Sequence, residues 1–441
     1  MTDIIKTSLL APDARTQRRN AAEHRFRIYG MVAVGLGMVF LVALLWAIVS
    51  NGTGAFTQTY VTLNVHLLEE KLDPEGTRDP AEIASVTTFG YGGLIDAAMV
   101  GLIEEQGIQT DIRPKKLDQI LSSGAAAQIR RFVLDHPEMI GQDVEFRLLA
   151  SSRADGYLKG RVTRESLARD KNMSREHLDL LDNLIEAGIV ERVFNMAFIT
   201  GADASESRPE QAGIGVSMIG SFYMMLVVLL CALPLGVAAA LYLEEFAPKN
   251  WFTDILEVNI SNLAAVPSIV FGILGLAAFI QFAHLPQSAP IVGGLVLTLM
   301  TLPRIIIPAR AALGAVPPSI REAALGVGAS RNQCVFHHVL PLAMPGILTG
   351  IIIGMAQALG ETAPLLLIGM VGFIAANRPD GIASGLLDPN SAMPAQIYEW
   401  AKRADPAYIE RAWGGIIVLL VCLMVMNIIA VILRRRFERR W

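Results

Sequence analysis

The amino-acid sequence predicts an α-helical integral membrane protein with six transmembrane helices and one α+β domain placed between the first and the second. Three observations predict it. Of 441 residues, 53% are hydrophobic and 18% charged, whereas a soluble domain carries about 25% charged residues. The charge is gathered in blocks, and the apolar segments between them reach the roughly 20 residues that cross a bilayer. The stretch 50–212 breaks this pattern, being polar and acidic, with a net charge of −9 against −4 for the whole chain.

The predicted spans are 28–49, 214–243, 260–283, 290–313, 343–374 and 414–433. Positive residues set their orientation. Arg15, Arg18, Arg19, Arg25 and Arg27 precede the first span, and Arg434, Arg435, Arg436, Arg439 and Arg440 follow the last. Both ends, the tails 1–27 and 435–441, are therefore expected in the cytoplasm, together with the loop 313–342. The segment 28–49 is too long for a signal-peptide core and lacks a small-residue cleavage site, so it reads as a retained anchor.

At roughly 160 residues, the domain 50–212 is long enough to bury its own core. Strands are expected at 56–67, 143–150 and 190–198, where β-branched and apolar residues alternate with polar ones. Helices are expected at 80–105, 116–134 and 174–187, the last opened by Ser174 as a cap. Ser151-Ser152 and Asp155-Gly156 read as a turn, and 201–212 as a polar linker back to the membrane. His66, His136 and His177 lack metal-ligand spacing and read as solvated or core residues. Cys231, Cys334 and Cys422 form no framework and read as packing residues. No dinucleotide fingerprint, Walker loop or nucleophile elbow is present. The chain is therefore expected to be no enzyme, to bind no cofactor or metal, and to leave nucleic acid alone.

The loop 313–342 carries the sharpest motif, Glu322-Ala-Ala-Leu-Gly-Val-Gly-Ala-Ser-Arg-Asn-Gln-Cys-Val-Phe-His-His-Val-Leu-Pro341. Its charges would be unpaired in lipid, so it must face water or a partner. Ala323 and Ala324 would let a partner surface approach closely, Gly328 allows a tight turn, and Pro341 suits the first turn of the next helix. Glu322, Ala323, Ala324, Gly328, Leu340 and Pro341 resemble the EAA loop of bacterial ABC-importer permeases, with His338 where Ile is usual. The resemblance implies that this loop docks into a cytoplasmic ATPase on another chain, present in two copies.

Two ionisable residues lie in the apolar core. Arg304, in the fourth span, either faces a pathway or a partner or snorkels to the interface; Arg310, near the end, snorkels. Glu361 sits between Gly360 and Pro364, which should break the helix there, a feature tolerated where a chain lines a cavity. Gly360-Glu361-Thr362-Ala363-Pro364-Leu365 resembles the segment GETAPL of PstA-type permeases of phosphate-specific ABC importers. Leu241-Tyr-Leu-Glu-Glu-Phe-Ala-Pro248 and Leu302-Pro-Arg304 resemble the same family. Relatives often carry Arg four residues before the Glu; this chain has Gln357, so Glu361 must pair elsewhere, with Arg304 as a candidate.

The resemblance implies a five-helix type I importer core at 213–434. It implies a homologous second permease subunit, a periplasmic phosphate-binding protein, phosphate as cargo, and alternating access driven by the ATPase. Arg304 would lie on the anion route, since Arg donates in a plane to oxyanions, and Glu361 would fix an Arg or gate the path. Two alternatives compete. One is a permease for sulfate, molybdate or an organic solute, which shares the EAA loop but not GETAPL. The other is a membrane-anchored sensor, for which the cytoplasmic segments are too short.

Overall fold

The computed structural model describes residues 14–166, 173–370 and 379–437. Arg439, Arg440 and Ile374 of the expected tail and fifth span lie outside these. The chain divides after Asn51. The described residues of the first unit belong to one helix, α1 (Ala14–Gly52), along which large apolar side chains such as Phe40, Val42 and Trp46 are exposed. Burial by lipid suits such a surface.

The second unit holds two separate apolar cores. The first belongs to an α+β domain built on strands β1 (Thr57–His66), β2 (Asp143–Leu149) and β3 (Val190–Phe194). β1 is central and antiparallel to both neighbours, with Leu63 opposite Phe146 and Thr57 opposite Phe194. Val61, Leu63 and Val65 point to one face and are buried, as the period of two requires. Helices α2 (Thr88–Glu105), α3 (Ala125–Asp135), α4 (Ser152–Leu158) and α5 (Arg175–Glu186) complete the domain, with Tyr91, Met99, Ile129 and Leu181 in its core. Ser174 opens α5 in a capping box with His177, whose Nε2 lies 2.9 Å from the Lys116 carbonyl.

Several local expectations are corrected here. The stretch 80–105 is two helices, Pro80–Ser85 and then α2. The stretch 116–134 is a 3-10 turn, Pro114–Ile120, followed by α3, because Gly124 does not propagate a helix well. β3 ends at Phe194, where Asn195 caps a short helix, Met196–Thr200. The expected turn at 151–156 is the start of α4, capped by the Ser151 side chain on the Ala154 N–H.

The second core belongs to the membrane helices α6 (Gly215–Leu241), α7 (Trp251–Ala264), α8 (Ser268–Gly275) and α9 (Pro290–Gly314), and to α10 (Pro318–Gly326), α11 (Leu340–Gly360), α12 (Met393–Lys402) and α13 (Pro406–Phe437). Among the described residues five helices are long and apolar enough to cross a membrane, six if one bent pair counts as a span. Small residues bring α6 and α9 together. A Cβ on Gly294 would stand 2.5 Å from Val227, and one on Gly236 2.7 Å from Ile305.

The expected span 260–283 falls on the bent pair and is not one straight helix. α7 and the helical run Ser268–Phe282 meet at 102°. Pro267 disfavours helical geometry at Val266 and donates no hydrogen bond, so the chain turns there. The expected span 343–374 is also not continuous. The helical run Arg331–Gly360 includes a π turn, Val335–Val339, and stops at Gly360. Glu361 is extended, and a short helix, Ala363–Leu367, follows.

Candidate functional site

Arg304 is the fifteenth of the 25 residues of α9, one position after Pro303. Glu361 is the first non-helical residue after α11. The two are brought together: Arg304 Nη1 lies 3.8 Å from Glu361 Oε1, with side chains 24% and 20% exposed. At that separation they attract but share no hydrogen bond. Nη1 is closed off from solvent and, among the described residues, makes no hydrogen bond. A buried guanidinium nitrogen with an unused donor is costly, and an oxyanion would satisfy it. Gln357 is exposed on α11, which leaves Arg304 as the basic group facing Glu361.

The loop after α9 folds as a helix, a turn and a second helix. α10 carries Glu322, Ala323 and Ala324. Gly328 has φ +90°, a conformation that favours glycine, and its N–H closes the turn on the Leu325 carbonyl. Ser330 and Gln333 form a capping box that starts the next helix. Glu322, Ala323, Leu325, Phe336 and His338 are exposed, and Val327 is 87% exposed.

One expectation about this loop is corrected. Ala324 does not sit on the outer surface; it is buried in the membrane-helix core with Cys334 and Val335, because successive helix positions point about 100° apart. Pro341 stands in the first turn of α11, as expected. The helical run reaches back to Arg331 through the π turn Val335–Val339, a local widening that absorbs the missing N–H. Leu340 is partly buried against the core.

A third cluster escaped the sequence. Lys159, on the chain just after α4, reaches Asp155 at 2.6 Å and Glu410 of α13 at 3.0 Å. Arg161 pairs with both carboxylates. Arg411, 2% exposed, donates to the carbonyls of Ala55 at 2.8 Å and Glu210 at 3.0 Å. Arg403 holds Asp203 at 2.7 Å, and the Trp400 indole N–H donates to the same carboxylate at 2.8 Å. Glu210 is bonded to Ser122, and its burial pushes the carboxyl above the ordinary range. The stretch 201–212 is therefore no loose linker. Its polar groups are shared between the membrane helices and the α+β domain, and Ala204 and Ala212 join the membrane-helix core. The only trace in the sequence was the Asp155–Lys159 spacing of four.

His66 pairs with Asp143 at 2.8 Å and His136 with Glu138 at 3.2 Å, both exposed. Among the described residues no three His, Cys, Asp or Glu side chains are grouped to hold a metal ion.

With this geometry in hand, similarity to known proteins becomes informative. Residues 232–441 match the family described as binding-protein-dependent transport system inner membrane component. Residues 13–168 match a domain of unknown function, DUF3333. The chain is 30% identical over 259 residues to the probable ABC transporter permease protein YqgI of Bacillus subtilis (strain 168), covering 57% of this chain and 87% of that protein. It is 30% identical over 234 residues to the phosphate transport system permease protein PstA 1 of Mycobacterium tuberculosis (strain CDC 1551 / Oshkosh), covering 53% and 74%. A solved structure of the MetNI methionine ABC transporter aligns over 52% of this chain and 95% of its own, at 16% identity and a TM-score of 0.37.

Proposed function

The chain belongs to the family of binding-protein-dependent transport system inner membrane components, and we propose that it is the membrane subunit through which an ATP-driven importer moves inorganic phosphate. The observation that carries this reading is Arg304. A guanidinium inside a membrane helix, with a buried nitrogen that no described protein group satisfies, fits a passing oxyanion. Relatives named as phosphate transport permeases supply the identity of the anion.

Glu361 acts as a stand-in counter-charge. While the path is empty it lowers the cost of keeping Arg304 away from water. When phosphate arrives, its oxygens take over the guanidinium, and the carboxylate yields. Because the pair is not hydrogen-bonded at 3.8 Å, little has to be broken for that exchange. The extended backbone at Glu361, between two helical segments, is where the chain can give way without unwinding a helix.

The positive-inside rule, applied to the basic tails, supports termini in the cytoplasm and the α+β domain outside. The loop 313–342 then faces the cytoplasm, and the exposed Glu322, Leu325, Val327 and Phe336 offer a docking face to a separate ATPase, two copies of which would serve this chain and a homologous second permease. A periplasmic binding protein would deliver phosphate to the opposite side. ATP binding moves α10, and the helices follow in alternating access. The decisive measurement is phosphate uptake by cells that lack their own phosphate permease and express this chain with its partner subunits. Saturable uptake that sulfate and molybdate do not compete away is expected. Uptake of one of those anions in preference to phosphate would overturn the reading.

A further inference from the structure

We propose that Arg321 is a positioning residue that locks α10 to the two membrane helices behind it, so that a push on α10 reaches α6 and α9 together. The proposal rests on the ATP-driven reading above. Arg321 directly precedes the exposed Glu322, yet its side chain turns the other way. Nη2 lies 2.6 Å from Glu245 Oε1, and Nε lies 3.3 Å from both oxygens of that carboxylate. Nη2 also donates to the Leu313 carbonyl at 2.9 Å, and Nη1 to the Val316 carbonyl at 2.7 Å. One planar group thus spans three elements.

Glu245 is buried in the π turn Tyr242–Phe246 that ends α6. Leu313 belongs to the last turn of α9. In an unbroken helix the Leu313 carbonyl would accept from the N–H of residue 317, but residue 317 is proline and has none. Pro317 and Pro318 therefore end α9; the Val316 N–H reaches the Leu313 carbonyl at 3.2 Å, and Arg321 adds a second, charged donor to it at 2.9 Å. A positive group among terminal carbonyls is also favoured by the helix dipole. Lysine would keep the charge but lose the fork of donors that reaches acid and carbonyls at once.

The surroundings reinforce the joint. Arg310 of α9 reaches Glu244 at 3.3 Å and Glu257 of α7 at 2.7 Å. The guanidinium of Arg331 stands 5.6 Å from the Phe246 ring centre. Both strands of the loop thus close on residues 244–246. Leu313 lies nine residues beyond Arg304 on the same helix, about 14 Å along its axis. Motion of α10 is delivered by this joint to the helix that carries the pathway arginine. Without it, α10 would swing about Pro317 and Pro318 and leave α9 behind.

The test uses the complete transporter in lipid vesicles, with spin labels at Gly326→Cys and Ala311→Cys in a background of Cys231→Ala, Cys334→Ala and Cys422→Ala. Gly326 and Ala311 are both exposed. In the wild-type joint, the label spacing should hold within about 2 Å between nucleotide-free and ATP-bound states. In Arg321→Lys it should change by about 5 Å, one helical turn. Uptake per ATP should fall about tenfold while hydrolysis persists, and Glu245→Gln should fall in between. A spacing in Arg321→Lys that tracks the wild type overturns the proposal. So does a spacing that changes in the wild type, which needs no variant at all. A wild type that keeps its spacing but takes up no phosphate overturns the transport reading and leaves the joint standing.

Discussion

Lys159 and Arg304 are both cations withdrawn from water. Lys159 is held by two carboxylates at 2.6 and 3.0 Å and by the Thr57 carbonyl at 2.8 Å. Each of its three protons has a partner. Arg304 has one carboxylate at 3.8 Å and, among the described residues, a buried nitrogen without a hydrogen-bond partner. Around Lys159 any visitor would have to displace a partner. At Arg304 a visitor would gain a donor instead. The contrast is the reason Arg304, and not Lys159, is the proposed anion contact.

The comparison can be broken most forcefully at Lys159. Lys159→Met keeps the volume and removes one of the two cations that Asp155 and Glu410 share, so stability should drop by up to about 3 kcal/mol. Thermal unfolding of the detergent-solubilised chain measures this, and uptake at low temperature by the surviving fraction should be normal. An unchanged melting temperature would show that Arg161 alone suffices for both acids.

At Arg304 the expected pattern is the inverse. Arg304→Gln should leave melting nearly unchanged and cut phosphate uptake at least about tenfold, the loss of one charge-assisted bond to the anion. Glu361→Gln should do less, and the double variant should be less impaired than the two singles combined, because each change relieves the other's unpaired charge. Near-normal uptake in Arg304→Gln would remove Arg304 from the pathway.

A milder perturbation separates backbone from side chain in the coupling loop. A Cβ meets nothing within 4 Å at Gly326 or at Gly328, but only Gly328 has positive φ. Gly328→Ala should cost the loop about 1–2 kcal/mol and lower uptake several-fold, with insertion intact. Gly326→Ala should be neutral. Equal effects would mean that the surface matters rather than the turn.

The smallest effect lies in the α+β domain. Burial raises the carboxyl of Asp96, opposed by Lys115. Burial and then the Asp96 charge raise Asp118, opposed by its own backbone hydrogen bond and by His177. A carboxyl raised in the folded state stabilises the fold below its ordinary pKa and loses that contribution as pH climbs through the folded value. The calorimetric melting temperature of the domain should therefore decline slightly across that window, and Asp96→Asn should flatten the decline. An identical slope in the variant would assign the effect elsewhere.

What could be read from the sequence follows from which interactions are local. Membrane helices announce themselves by composition, and Gly360 and Pro364 mark a break by backbone chemistry alone. The turn at Pro267 carried the same kind of signal, but an apolar run hides direction, so the span expected at 260–283 gave no sign that two helices meet there at 102°. Arg304 and Glu361 were legible as partners because few other charges lie in the apolar segments. The Lys159 cluster was not, since it joins positions 251 residues apart. Arg321 was overlooked for another reason: it is masked by the motif that begins one residue later, and only its inward rotamer separates the two roles.

The pairing of β1 with β3 bears on how such a domain can be removed or transplanted. Thr57 faces Phe194 across the ladder, and the Asn195 N–H donates to the Phe56 carbonyl at 2.8 Å. The incoming and outgoing chain thus stand side by side, and a two-residue turn could rejoin 56 to 195. Topology makes the domain a cassette with a single seam. Chemistry does not, because excision leaves Glu410 without Lys159 and Arg161. A clean transplant must carry an uncharged residue at position 410 along with the seam, and a recipient permease must acquire that acid before it can seat the domain.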